Sequence, residues 1–258
     1  MCEPGEFTVE YAINPWMRRG GAVDRALARA QWEELAAVYA ALGGDVVTVA
    51  PGLGLPDMVF AADAGLVGDG WVVPARFRHA ERRREEPQWR SAFRACGLEL
   101  LRLPAGVRFE GGDAVRLGDR ILLGHGFRTD ARAAAALADR TGLEVVPVSL
   151  ADPWLFHLDM CCAALDADTL LLARDVLEPR EEARLRDLVP RVVDVPRPLA
   201  CAFACNVTAL GTDVVAAAGA EPLRRTLARA GFMLHPVDVS EFLKAGGGVR
   251  CLTLAWPG

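Results

Sequence analysis

A cysteine, a histidine and a set of buried-looking carboxylates stand where this 258-residue sequence could support covalent chemistry. Cys251 follows Gly246-Gly247-Gly248, and a triple glycine ahead of a cysteine suits a thiol presented to a ligand. A buried, inert cysteine is the alternative reading, and no Gly-Lys-Ser/Thr follows to make a phosphate loop. His157 lies in Phe156-His157-Leu158-Asp159-Met160-Cys161-Cys162. Read as a strand, this segment puts His157 and Asp159 on one face and Phe156, Leu158 and Met160 on the other. An imidazole and a carboxylate on an otherwise apolar strand are costly to bury without partners, although a structural pair would satisfy that need equally.

Glu110 sits in Arg108-Phe109-Glu110-Gly111-Gly112-Asp113, where a strand should begin. Two glycines beside a carboxylate allow another backbone or a ligand to approach closely; an ordinary turn uses the same residues. Asp63 lies among small residues in the apolar stretch Leu55 to Gly65, also read as a strand. Arg76 and Arg128 follow strands near where strand ends would meet a central channel, with a surface role as the alternative. Cys161-Cys162 and Cys201-Ala202-Phe203-Ala204-Cys205 lack the paired Cys-x-x-Cys of a zinc site. Cys161 would share the His157 face, which leaves a metal site as the minor alternative.

The elements that must position these groups recur. A helix ends at glycine and a short apolar strand follows: Leu35 to Leu42 with Gly43-Gly44 and Val46 to Val49; Trp89 to Cys96 with Gly97 and Leu98 to Leu101; Ala133 to Thr141 with Gly142 and Leu143 to Val146. A fourth copy runs from Glu181 to Leu188, with Pro190 in the glycine position, into Val192 to Val195; a fifth runs from Leu223 to Ala230, Gly231 and Phe232 to Leu234. Such glycines stop helices in the left-handed conformation. Alternating stretches broken at Gly68-Asp69-Gly70, Gly118-Asp119, Asp166-Ala167-Asp168 and Gly211-Thr212 have hairpin chemistry. The last copy has one such strand, Val249 to Trp256, which an N-terminal strand Phe7 to Ile13 would complete. Self-similarity over forty to fifty residues predicts a single domain over residues 1–258: five ββαβ units in a ring around a central channel. A layered α/β sheet is the alternative, which the hairpins disfavour.

Composition bounds the partners. Lys and Arg total 29 against 34 Asp and Glu, a formal charge of −5 with 52% hydrophobic residues, so a large core is available and broad binding to nucleic acid or anionic membrane is disfavoured. The basic cluster Arg82-Arg83-Arg84, followed by Glu85-Glu86, reads as a solvated helix face. No run approaches the roughly 20 apolar residues of a membrane span. The first residues lack the pattern of a signal peptide, and seven cysteines are too few for a disulfide scaffold. A cytoplasmic protein with free thiols is expected.

Taken together, Ile13-Asn14-Pro15-Trp16-Met17, Pro56-Asp57-Met58-Val59-Phe60, Phe109-Glu110-Gly111-Gly112-Asp113, Gly126-Phe127-Arg128-Thr129, His157-Leu158-Asp159 and Gly246 to Cys251 resemble the guanidino-group-modifying superfamily, the pentein fold. The resemblance spans nearly the whole chain, one or more motifs per repeat. It implies a five-bladed α/β propeller with Cys251 as nucleophile, His157 as general acid/base and Glu110 as its carboxylate partner. Asp63 and Asp159 match positions that grip a guanidinium, Arg76 and Arg128 those that hold a substrate carboxylate, and Phe60 and Asn14 further substrate contacts. It implies no cofactor and no metal, a small guanidine as partner, and a second copy of the chain as a candidate partner.

The compact chain, without the long helical insertion that arginine deiminases and amidinotransferases usually carry, resembles the dimethylarginine-hydrolase branch, while the paired Asp63 and Asp159 resemble the deiminases. Arginine dihydrolases often have Asn where this chain has Asp63. The expected activity is hydrolysis of a guanidinium C–N bond of arginine or a methylated arginine, giving citrulline with ammonia or a methylamine. An amidinotransferase, an arginine dihydrolase giving ornithine, and a non-catalytic ring that binds a partner are the alternatives.

Overall fold

A computed structural model of the chain describes residues 1–19 and 21–255. Four three-stranded sheets repeat one topology. In the first, β1 (Gly65–Gly68) and β2 (Trp71–Pro74) form a hairpin; α1 (Arg25–Ala41) precedes them, and α2 (Glu85–Ala95) carries the chain over to β3 (Glu99–Leu100), parallel to β2. The second sheet is β4 (Ala114–Leu117), β5 (Arg120–His125), α3 (Ala133–Thr141) and β6 (Glu144–Ser149). The third is β7 (Cys162–Ala164), β8 (Thr169–Ala173), α4 (Pro179–Arg186) and β9 (Arg191–Val195). After the short helix α5 (Arg197–Ala200) comes the fourth: β10 (Thr208–Leu210), β11 (Asp213–Ala217), α6 (Arg224–Arg229) and β12 (Met233–Val237). A last short helix, α7 (Ser240–Leu243), leads to the triple glycine.

The punctuation follows the sequence. Gly43, Gly97, Gly142 and Gly231 all take positive φ after their helices, and Gly70, Gly118 and Gly211 do so in the hairpin turns, where a side chain would strain the backbone. Helix α1 starts well before Leu35 because Asp24 caps it, its carboxylate accepting the backbone N–H groups of Ala26 and Leu27. Helices α2, α3 and α6 pack on their own sheets, α1 packs on α7 and β12, and Leu35, Trp89, Leu137, Leu185 and Leu227 are all buried.

The fifth unit departs from expectation. Residues 7–13 and 249–255 form no strand; Trp256 lies outside the described residues. Val49 instead pairs in parallel with Cys2, and Glu3 donates its N–H to the Val49 carbonyl at 3.0 Å. A 3-10 turn at Pro4–Glu6 then bends the chain away, and residues 7–17 cross one mouth of the ring. They are held there by side chains rather than by a ladder: Tyr11 donates to Asp57, Arg128 to the Ile13 carbonyl, and Asn14 to the Ala245 carbonyl.

Two segments expected as strands, Leu55 to Gly65 and Phe156 to Met160, are built from 3-10 turns at Pro56–Val59, Ala61–Ala64 and Leu158–Met160. Short apolar runs carry no periodicity that separates these states. Here local bonds such as Phe60 N–H to Asp57 and Met160 N–H to His157 replace ladder bonds.

Candidate active site

The turn that leads into the first hairpin strand of each unit points at the centre of the ring. These turns bring Asp63, Glu110, His157 and Asp159 together with Cys251, all buried. His157 Nε2 pairs with Glu110 Oε2 at 3.1 Å, and His157 Nδ1 lies 3.4 Å from Asp63 Oδ1. Cys251 Sγ is 3.9 Å from Asp159 Oδ2. The alternation that would place His157 and Asp159 on one strand face does not operate in a 3-10 turn, yet both side chains reach the site.

Glycine makes the closeness feasible. A Cβ on Gly111 would lie 2.1 Å from the Ala62 carbonyl oxygen, and one on Gly112 would lie 2.6 Å from Asp63 Oδ1 and 2.7 Å from His157 Nδ1. The triple glycine admits one neighbour per residue: Trp16 against Gly246, Phe60 against Gly247 and Asn206 against Gly248. Residues 245–247 with Ile13, Asn14, Met17, Phe60 and Phe156 enclose a cavity of about 20 Å3 over Cys251, His157, Asp63, Arg82 and Arg128. Asp159 instead lines a separate cavity of about 300 Å3, with Arg116 and Arg250.

The electrostatics are those of a compensated carboxylate cluster. Burial would raise the Glu110 carboxyl, but Arg128 and His157 hold it well below the usual range. Its Oε2 accepts from Arg128 Nη1 at 3.1 Å, and its Oε1 from the Arg78 backbone N–H at 3.0 Å. Burial opposes charge on His157, yet Asp63, Asp113 and Glu110 outweigh it and lift the imidazole to about 9. Burial raises Asp159 to about 6. The Cys251 thiol is pushed well up by burial and by the Asp159 and Asp63 carboxylates, against the Gly248 backbone N–H and the Asn206 amide. Asp63, Glu110 and His157 present ligand atoms within 4.8 Å of one another, a donor set that suits a divalent cation. Arg82 and Arg128 already neutralise its two carboxylates.

Among the expected residues, Asn14, Phe60, Asp63, Arg128, His157 and Cys251 line the small cavity, with Glu110 behind His157; Asp159 lies off this lining, 3.9 Å from the Cys251 sulfur. Arg76 does not reach it. Its backbone pairs with Phe109, while its guanidinium turns outward and donates to the Pro104 carbonyl at 2.7 Å. Arg82 stands there instead, and the solvated-face reading of Arg82 to Arg84 is corrected accordingly. Arg83 and Arg84 are exposed, but Arg82 is 2% exposed. Its guanidinium forks onto Glu85, bonds the Asp57 carbonyl and meets Asp63 Oδ2. The Glu85 that follows is the signal for it, since a buried guanidinium needs such a partner. The Cys161 thiol contacts the Leu155 and His157 backbone carbonyls rather than any site side chain. Asp113 and Asn206 were missed. Asp113 accepts the Leu158 N–H at 3.2 Å and so fixes the His157 turn.

The family model for eukaryotic N,N-dimethylarginine dimethylhydrolase matches residues 9–256. The chain belongs to this family. It is 40% identical over 257 residues to the dimethylarginine dimethylaminohydrolase of Mycobacterium tuberculosis, covering 98% of this chain and 84% of that one. It is 36% identical to the bifunctional arginine dihydrolase/ornithine cyclodeaminase ArgZ of Synechocystis, covering 98% of this chain but 37% of that protein. The solved N-terminal domain of ArgZ with substrate superposes with a TM-score of 0.94 at 34% identity, covering 98% of this chain and 96% of that chain. A Pseudomonas aeruginosa dimethylarginine dimethylaminohydrolase in complex with citrulline gives 0.81 at 24% identity over 97% of this chain and 95% of that chain, a likeness of fold. The fold is thus the pentein α/β propeller, with four full sheets and a reduced fifth unit. As a dimethylarginine dimethylhydrolase-family member, the chain is a hydrolase of guanidino C–N bonds. No helix among the described residues is long and apolar enough to cross a membrane.

Proposed function

We propose that this hydrolase converts a methylated arginine, asymmetric dimethylarginine foremost, to citrulline and dimethylamine through a covalent intermediate on Cys251. The observation that carries the reading is the convergence of the Cys251 sulfur, the His157 imidazole and the Asp63 carboxylate on one small cavity, with Glu110 behind the imidazole and Asp159 3.9 Å from the sulfur.

Asp63 and Asp159 receive the guanidinium; their mutual repulsion is relieved when the cation binds, and its charge draws the Cys251 thiol toward thiolate. The thiolate attacks the guanidinium carbon, forming a C–S bond and a tetrahedral adduct. His157, kept protonated by Asp63, Asp113 and Glu110, gives its proton to the substituted nitrogen. The C–N bond breaks and dimethylamine departs, leaving an amidino-thioether. Neutral His157 then takes a proton from water, whose oxygen attacks the same carbon; the C–S bond breaks and citrulline leaves with the thiolate restored. Arg128 is the cavity cation offered to the substrate carboxylate, while Arg82, held by Glu85 and the Asp57 carbonyl, fixes Asp63. Arg128 is fixed for this by Glu110 and by stacking 4.6 Å over the Phe156 ring.

The ArgZ likeness favours a second reading, arginine carried through to ornithine. Asp63, in the position where dihydrolases often have Asn, supports release at citrulline. Mass spectrometry of products from dimethylarginine, monomethylarginine and arginine tests both. Citrulline with dimethylamine is expected, and ornithine from arginine would favour the second reading. Full citrulline production by Cys251→Ala would overturn both.

A further inference from the structure

The site residues recur with the period of the fold. Glu110 and His157 are 47 residues apart, Asp159 and Asn206 are 47 apart, and Asn206 and Cys251 are 45 apart. Asp63, Glu110, His157 and Cys251 therefore represent four of the five units, and Asn206 is what the remaining unit brings to the centre. It is fully buried.

Its amide is oriented without ambiguity. Asn206 Oδ1 accepts the backbone N–H groups of Arg250 at 3.0 Å and Cys251 at 3.2 Å. Turning the amide over would set NH2 against two N–H donors, so Nδ2 must face the other way. There it lies 3.2 Å from Cys251 Sγ and 3.4 Å from the Asp159 carbonyl. The surroundings are built for this contact. Phe203, a non-glycine residue at φ 63°, turns the chain so that the Asn206 N–H bonds the Phe203 carbonyl. A Cβ on Gly248 would lie 2.7 Å from Asn206 Oδ1. A left-handed phenylalanine beside a site is strain that the surrounding packing must hold.

We propose that Asn206 is a catalytic residue that donates its amide N–H to the Cys251 sulfur, aiming it at the guanidinium carbon and stabilising it as thiolate. Around the sulfur stand Asp159 at 3.9 Å, Asp63, His157, Arg82 and Arg128, while Arg250 faces Asp159 from the other cavity. The nearer carboxylates oppose ionisation, and the neutral amide favours it without competing for the substrate's charge.

The role in turnover rests on the hydrolase reading, but the sulfur contact can be tested apart from it. The test is the pH dependence of Cys251 alkylation by 2-chloroacetamidine, followed by intact mass, in the wild type, Asn206→Ala and Asn206→Asp. Asp keeps the acceptor for both backbone N–H groups while removing the donor, so it preserves the loop should Ala disturb it; circular dichroism checks folding. The alkylation midpoint is expected to rise by at least one pH unit in either variant, which is about tenfold slower labelling at neutral pH. With dimethylarginine, kcat is expected to fall by about tenfold or more, with KM changed less than threefold. An unchanged midpoint in a folded variant overturns the proposal. Absent dimethylarginine turnover by the wild type would overturn the substrate reading alone, leaving the alkylation result to judge Asn206.

Discussion

Trp16 donates its indole N–H to the Trp154 carbonyl at 2.8 Å, and the two rings meet edge to face with centroids 5.1 Å apart, although 138 residues separate them. Trp16 also packs on Phe203 at 4.8 Å. It thereby fastens the covering segment over a cavity of about 20 Å3, the room of one water molecule. A guanidino acid is larger than this space, and Ile13, Asn14 and Met17 form one wall of it, so displacing them would widen the site.

Trp16→Ala is expected to loosen that fastening. An aromatic pair contributes about 0.5–1.5 kcal/mol beyond its buried area, so KM for dimethylarginine should rise by roughly three- to tenfold while kcat changes less. Steady-state kinetics check this, and an unaltered KM would mean that the segment is held elsewhere.

Activity should have two limbs in pH. Asp159, raised to about 6, must be ionised to hold a guanidinium, so kcat/KM should fall below about pH 6. His157, raised to about 9, must be protonated to expel the amine, so activity should fall above about pH 9. Stability follows the same groups. The imidazolium stabilises the fold fully below its ordinary 6.5, and that contribution is lost as pH rises through 9. Asp113, raised by burial to about 7 from 3.8, retains a proton that the unfolded chain has already lost, so the fold weakens as pH rises from 3.8 to about 7 and no further above that. Thermal melts should therefore give a lower Tm at about pH 9.5 than at about pH 6.

Arg82→Leu should be severe. It would leave Asp63 and Glu85 buried without their cation, and breaking a buried pair in this way costs about 3–5 kcal/mol. Urea denaturation is the measurement. A loss below about 1 kcal/mol would show that neighbouring groups take up protons and absorb the change.

Gly112→Ala tests the close packing of the centre. The new methyl would meet both Asp63 Oδ1 and His157 Nδ1. A misplaced acid/base is expected to cost about 100-fold in kcat, with far-ultraviolet circular dichroism unchanged.

The repeating architecture was legible because its punctuation is chemical. Glycine at Gly43, Gly97, Gly142 and Gly231, and polar pairs at the hairpins, admit few other conformations. Cys251, His157, Glu110, Asp63 and Asp159 were legible because reactive or ionisable groups are conspicuous in apolar surroundings. Arg82 was not, since three successive arginines look alike and only the turn at Ala80–Arg82 aims one inward. Asn206 was hidden by its chemistry, because an amide neither titrates nor disturbs an apolar pattern. The turns at 56–64 and 158–160 were read as strands because their apolar residues show no period. The cover formed by residues 7–17 depends on contacts with Asp57, Arg128 and Ala245 that local sequence does not announce.

Every unit lends the centre at least one side chain, and the nucleophile Cys251 and the acid/base His157 come from different units. No contiguous stretch of two or three units would retain a diminished activity. Chemical competence should emerge only at the last step of assembly, so that regain of turnover on refolding lags the recovery of helix and strand.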